Sequence, residues 1–293
     1  PQDYDESKFT DFVTATWVAE QLGNKHDKPF FLAFGFYRPH VPFFPPRRVY
    51  DSFEDVQLPR GDADDWSDIP NAARKVSLSN EKIPTHDWMR ENGRWKQAVH
   101  AYLACVRWTD EQLGRVLDAL DKGPHAGNTI VVLFSDHGYH LGEKQRWSKF
   151  SLWERTTRVP LIISVPGGVK GKSNKPVELL SIYPTLVDLC SLPANPKLEG
   201  VSLRPLLENP NTDWKHVAIS TLEQNNHAVR DQRWRYIRYA DGSEELYDHQ
   251  TDPAEWKNLA AKPPMPSHVE VIARLKKHLP KTNTPQRGNK PRK

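Results

Sequence analysis

The spacing of apolar positions changes along the chain, and each change predicts an element. Over residues 8–22, Phe9, Phe12, Val13, Trp17 and Ala19 fall on one helical face, with Val18 and Leu22 off it. Residues 30–36 form an almost continuous apolar run, the pattern of a buried parallel strand. Residues 42–94 are rich in Pro, Asp and Ser with weak periodicity and predict a long loop with short helical turns. A strong helix follows over 95–121, with Val99, Leu103, Val106, Leu113, Val116 and Leu120 among its apolar positions and Gly123–Pro124 as its stop. Two more buried strands are expected at 129–134 and 159–165, and a helix near Tyr183-Pro184-Thr185, where Pro suits the first turn. Beyond Asn209 the pattern becomes short strands at 217–222, 228–230, 234–239 and 245–247, with an Asp241-Gly242 hairpin turn and a helix over 268–279.

Helices alternating with buried strands that end in polar residues define an α/β fold. Residues 1–209 are expected to form a largely parallel central sheet with helices on both faces. Residues 210–280 read as a smaller antiparallel α+β subdomain, and 281–293 as a basic, disordered tail. Arg38-Pro39-His40 lies just past the C-terminal end of the 30–36 run, where ligands bind in open α/β sheets.

Composition narrows the class. The 293 residues hold ten Trp, nine Tyr and eleven Phe, too many for a disordered chain. No apolar stretch is long enough for a transmembrane helix. The net charge of +4 comes from the tail, since residues 276–293 contain no acid. The body is nearly neutral, so the charge is weak evidence for nucleic acid, which is not expected as a partner; a local basic excess would suit an anionic substrate equally well. Two cysteines, Cys105 and Cys190, exclude a disulfide scaffold and a Cys-rich zinc site but leave one bridge open.

The chemistry gathers after the 129–134 strand, at Ser135-Asp136-His137-Gly138. Asp offers a hard oxygen to Ca²⁺ or Mg²⁺, and His alone favours Zn²⁺ or a transition metal. The same residues equally fit a strand-to-loop turn closed by an Asx hydrogen bond. Taken singly, Lys149 reads as a solvated lysine and His40 as a loop histidine packed by prolines. His140, Arg146 and Trp147 lie on the loop beyond. Arg146 can pair with a sugar carboxylate and Trp147 can stack on a pyranose, or all three can simply pack the loop.

The order of these residues is more specific than any one of them. Asp136-His137-Gly138, Leu141-Gly142-Glu143 and Lys149 lead into Arg158-Val159-Pro160-Leu161-Ile162. Three further blocks are Phe36-Tyr37-Arg38-Pro39-His40-Val41-Pro42, Ser181-Ile182-Tyr183-Pro184-Thr185 and Trp234-Arg235-Tyr236 with Glu245-Leu246-Tyr247-Asp248. Together they resemble the sulfatase family of the alkaline-phosphatase-like superfold, and most nearly its iduronate-2-sulfatase-like branch. The resemblance implies that Asp136 and His137 are calcium ligands, that Lys149 contacts the sulfate, and that His40 stands beside the leaving oxygen. It also implies a sulfuric ester hydrolase acting on a sulfated, uronate-containing saccharide, in an exported or lysosomal compartment. A phosphodiesterase or phosphonate hydrolase of the same superfold is the nearest alternative, and a non-catalytic saccharide-binding relative the next.

The family's nucleophile is a formylglycine made from Cys or Ser in a Cys/Ser-x-Pro-Ser-Arg motif, and this sequence has none. Its first calcium ligands, an Asp-Asp pair ending a buried strand, are also missing; Asp64-Asp65 follows no buried strand. With no initiator Met, the sequence is expected to be the rear part of a sulfatase, inactive alone and with an open sheet edge prone to aggregation.

Overall fold

The computed structural model describes residues 1–61, 65–78, 83–261 and 263–284. Asp64 and residues 285–293 of the expected tail therefore lie outside the described residues. The chain clusters into two compact units, Pro1–Arg60 with Thr85–Val131, and Gly61–Pro84 with Val132–Lys293.

The first unit is built on two helices, Thr10–Gly23 and the 28-residue Trp95–Lys122. Ala15, Val18 and Leu22 of the first pack on Val116 and Leu120 of the second. A neighbouring cluster joins Phe9, Val49, Ala104 and Trp108. Each large side chain so buried contributes roughly 1.5–3 kcal/mol, which fixes one helix on the other. The apolar run at 30–36 is not the buried strand expected of it. It is extended chain with no strand partner among the described residues; Leu32 and Phe36 lean on the helix pair, while Phe31 is 82% exposed. An apolar run specifies burial, but a strand exists only through hydrogen-bonded neighbours distant in sequence.

The second unit holds the strands. β1 (Val131–Phe134) and β4 (Leu161–Ser164) are hydrogen-bonded neighbours. Between them, β2 (His140–Leu141) and β3 (Trp147–Ser148) form a small antiparallel hairpin. β5 (Ala218–Thr221), β6 (His227–Arg230), β7 (Trp234–Arg238) and β8 (Glu244–Asp248) form an antiparallel meander in that order. Asp241-Gly242 turns β7 into β8, with Gly242 at φ 86°.

Strand alternation sends the meander's side chains to two cores. Val229, Tyr236 and Leu246 pack beneath the helix Pro266–Lys276 through Leu275. Ala228, Ile237 and Tyr247 face the other way, onto Leu152, Trp153, Ile69 and Ala73. That second core is why the residue expected to begin a subdomain, 210, falls inside a compact unit. Cys105 is buried, Cys190 is exposed, and both are free thiols, so the bridge left open by the sequence is not formed. Among the described residues no helix is long and apolar enough to cross a membrane.

Candidate functional site

β1 delivers the chain to Ser135 and a tight turn. The Ser135 hydroxyl donates to the His137 carbonyl at 2.9 Å, and the His137 N–H to Asp136 Oδ1 at 3.0 Å. Gly138 N–H donates to the Thr156 carbonyl at 2.9 Å, which holds the turn against the next segment. The approach is so close that a Cβ at 138 would stand 2.0 Å from the Arg155 carbonyl oxygen. Glycine is therefore a steric requirement here.

The turn leaves two ligand atoms facing one another. His137 Nδ1 lies 2.8 Å from the Gly138 carbonyl, which can only accept, so Nδ1 carries the proton. Nε2 is then the ring nitrogen that faces Asp136 Oδ2, 3.6 Å away. Ligands about 2.3–2.6 Å from a Ca²⁺ and at right angles lie roughly 3.4 Å apart, so the pair fits two adjacent positions around a divalent cation. A carboxylate with an imidazole does not by itself choose among Ca²⁺, Mg²⁺ and a transition ion. The Asp136 side chain is 81% exposed, open to further ligands.

The hairpin after the turn carries Lys149. It is strained: Lys144, Gln145 and Ser148 have φ of 55°, 49° and 81°, and Gly142 is at 124°. Left-handed backbone at a residue other than glycine costs of order 1–3 kcal/mol and persists only where the surroundings impose it. Here the buried Lys144 imposes it. Its Nζ pairs with Asp65 Oδ1 at 3.2 Å, donates to the Glu255 carbonyl, and sits 5.1 Å from the Tyr247 ring centroid. Trp66 Nε1 donates to the Lys144 carbonyl. Lys149 itself is half-buried, and its amine makes no hydrogen bond or ion pair among the described residues. It lines, with Asp136, a cleft of about 1550 Å³ within the second unit.

A second carboxylate–imidazole group lies nearby in the same unit. Ligand atoms of Glu154, His249 and Glu255 come within 4.8 Å of one another. Arg235 already neutralises them, donating to Glu154 and, at 2.6 Å, to Glu255 Oε1. His249 Nε2 also meets Glu255 Oε1, at 2.9 Å. Burial pushes the Glu255 carboxyl up, but Arg235 and His249 outweigh it and hold the group at about 2. This cluster ties the segment after Lys149 to the meander and, of the two, is the less fitted to an ion.

The three loop residues weighed for substrate contact are buried instead. His140 is fully enclosed and its Nε2 bonds Ser151 Oγ at 2.9 Å. Burial, with help from Arg146, pushes its pKa down to about 3. Arg146 is 4% exposed and burial lowers its pKa to about 10. Trp147 is 5% exposed and offers no open face for stacking. The strained turn folds these residues inward, a direction that polar loop sequence does not signal. Asp136 and Lys149 thus line one cleft, with His137 beside Asp136, whereas His40 belongs to the first unit.

His40 is exposed on the 37–44 loop, where the Arg38–Pro39 and Val41–Pro42 peptides are cis. Its Nδ1 lies 2.7 Å from the Val41 carbonyl. Sequence reading passed over Asp11 and assigned no holding role to Lys144 or Gly138, which fix these loops in place. The signal for Asp11 was present: a charge amid the apolar face of the first helix, between Phe9 and Phe12.

The family pattern described as Sulfatase matches residues 2–192, and that described as N-sulphoglucosamine sulphohydrolase, C-terminal, matches residues 142–285. The chain belongs to the sulfatase family. A sulfatase of Formosa agariphila is 45% identical over 276 residues, covering 93% of this chain and 54% of the relative. Iduronate 2-sulfatase of Mus musculus is 33% identical over 240 residues, covering 67% and 42%. The chain thus spans about half the length of the curated relatives it matches. The solved structure of BT1596, a 2-O GAG sulfatase, superposes with a TM-score of 0.74 at 23% identity, over 94% of this chain and 65% of that one. The fold is the alkaline-phosphatase-like fold of sulfatases, with a C-terminal antiparallel sheet.

Proposed function

We propose that this chain carries part of the active site of a sulfuric ester hydrolase acting on a sulfated, uronate-containing saccharide. The observation that carries the reading is the Lys149 amine, without a partner among the described residues, in the cleft that Asp136 also lines, with His137 Nε2 3.6 Å from the Asp136 carboxylate. A sulfate monoester carries negative charge on its non-bridging oxygens throughout the reaction, and a fixed cation in a cleft holds and stabilises them while the S–O bond pair leaves with the alkoxide oxygen. A divalent ion held by Asp136 and His137, with calcium the family's choice, would supply further positive charge against the same oxygens. His40, with Nε2 open, would give a proton to the departing alkoxide. The formylglycine nucleophile would come from residues other than these. The iduronate 2-sulfatase relative and the 2-O GAG sulfatase structure support a uronate 2-sulfate as the substrate.

The test is a substrate panel on the full natural gene product carrying this sequence. Sulfate release from 2-O-sulfated hexuronate disaccharides, saturable and faster than from an aryl sulfate, is expected. Faster hydrolysis of a phosphonate monoester would favour the other branch of the superfold. Saccharide binding without sulfate release would favour a non-catalytic relative.

A further inference from the structure

The 37–44 loop, with its exposed cis-proline turns, is tied down at one point by a buried charge. Asp11 is 1% exposed, in the first turn of the first helix. Its Oδ1 accepts the Tyr37 N–H at 2.6 Å and its Oδ2 accepts Arg38 Nη1 at 2.6 Å. Arg38 passes the hold along: its Nε donates to the Phe44 carbonyl at 3.0 Å, closing the loop's far end, and its carbonyl accepts the Thr109 hydroxyl at 3.0 Å. Its guanidinium lies 4.6 Å from the Phe9 ring centroid. One carboxylate therefore fixes both ends of the segment that bears His40.

Inside the loop the hydrogen bonds converge on the imidazole. The His40 N–H donates to the Tyr37 carbonyl at 2.9 Å. The Tyr37 hydroxyl donates to the Val41 carbonyl at 2.8 Å. His40 Nδ1 lies 2.7 Å from that same carbonyl and 3.1 Å from Tyr37 Oη. A carbonyl only accepts, and the Tyr37 proton is already committed to it, so both neighbours of Nδ1 present lone pairs. Nε2 has no partner among the described residues.

We propose that Asp11 is a positioning residue for His40. By clamping the Tyr37–Arg38 backbone it sets the Val41 carbonyl against Nδ1, so the neutral ring is protonated at Nδ1 and presents Nε2 as its proton-exchanging atom. The inference rests on the reading of His40 as the group that protonates the leaving oxygen, and it names what makes that group competent. Free histidine side chains favour the opposite tautomer, so the protein must impose this one.

The experiment is long-range ¹H–¹⁵N correlation of the imidazole nitrogens in this 293-residue chain above pH 8, with His40→Gln to assign the ring. The wild type is expected to show His40 protonated predominantly at Nδ1, the hydrogen bond to the Val41 carbonyl outweighing the free side chain's preference for Nε2. Asp11→Asn is expected to lose that excess and move toward the Nε2-protonated form. If that variant leaves Arg38 too costly to bury and the chain unfolds, the Asp11→Asn/Arg38→Gln pair, which leaves no lone buried charge, decides. Nε2-protonated His40 in the wild type, or a wild-type pattern in the folded single or double variant, overturns the proposal. The readout involves no substrate, so failure to release sulfate from any ester would count against the enzymatic reading and leave the tautomer result standing.

Discussion

Gly138→Ala is the sharpest perturbation of the site, because the geometry sets its size. The added Cβ would lie 2.0 Å from the Arg155 carbonyl oxygen and 3.2 Å from Thr156 Cα. Non-bonded contacts of that kind open to about 3 Å or more, so the turn must withdraw from the 155–156 backbone by roughly 1 Å. Overpacking of this sort costs about 1–3 kcal/mol. Withdrawal also breaks the 2.9 Å bond from Gly138 N–H to the Thr156 carbonyl, worth about 1 kcal/mol. The expected loss is therefore about 2–4 kcal/mol, a fall in the folded-to-unfolded ratio of roughly 30- to 1000-fold. Urea denaturation of this chain, followed by tryptophan fluorescence, measures it. Gly114→Ala is the control: it lies inside the long helix, its added Cβ meets nothing within 4 Å, and it is expected to stabilise by about 0.5–1 kcal/mol. A Gly138→Ala variant within about 0.5 kcal/mol of the wild type would refute the claim that the Asp136–His137 turn is pinned to the segment after Lys149.

Two further outcomes follow from buried charge. Lys144→Met leaves the enclosed Asp65 carboxylate without its 3.2 Å partner and should cost about 3–5 kcal/mol in the same assay. Adding Asp65→Leu should recover most of the loss, and a double variant as unstable as the single would contradict the pairing. His140 is held neutral in the fold, with its pKa lowered from 6.5 to about 3. Between those values the unfolded chain binds a proton that the folded chain does not, so stability falls as pH drops through the window. The slope is roughly 1.4 kcal/mol per pH unit, and His140→Gln should remove it. Glu255, lowered from 4.5 to about 2, acts in the same direction only below 4.5, so the comparison is read between pH 6.5 and 4.5. Equal slopes for wild type and variant would contradict the burial of a neutral His140.

Elements that rest on local pattern were legible in the sequence. The Trp95–Lys122 helix, β1, β4 and the four-stranded meander appear within a few residues of where periodicity and turn residues put them. The Asp136–His137 turn was legible because a strand must end in residues that can close it, and here glycine has to follow. What remained hidden depends on partners far apart in sequence. Nothing near Glu154 announces Arg235 or Glu255, and nothing near Lys144 announces Asp65, although these contacts decide which way the Lys149 hairpin faces. Arg146 and Trp147 look like exposed loop residues because that loop is polar, yet three left-handed backbone positions turn it inward. The 30–36 run misled in the opposite sense: its composition called for burial, but composition does not name a neighbouring strand.

Lys149 and the Asp136–His137 pair are proposed to meet the sulfate together. The most direct measurement is kcat for sulfate release from a 2-O-sulfated hexuronate disaccharide by the full natural gene product, compared with its Lys149→Ala and Asp136→Ala variants. Lys149→Ala should lower kcat by about 100-fold or more, the usual cost of removing one fixed donor from a developing negative charge. Asp136→Ala should remove both turnover and its dependence on divalent cation. Two folded variants that turn over at the wild-type rate would contradict the account.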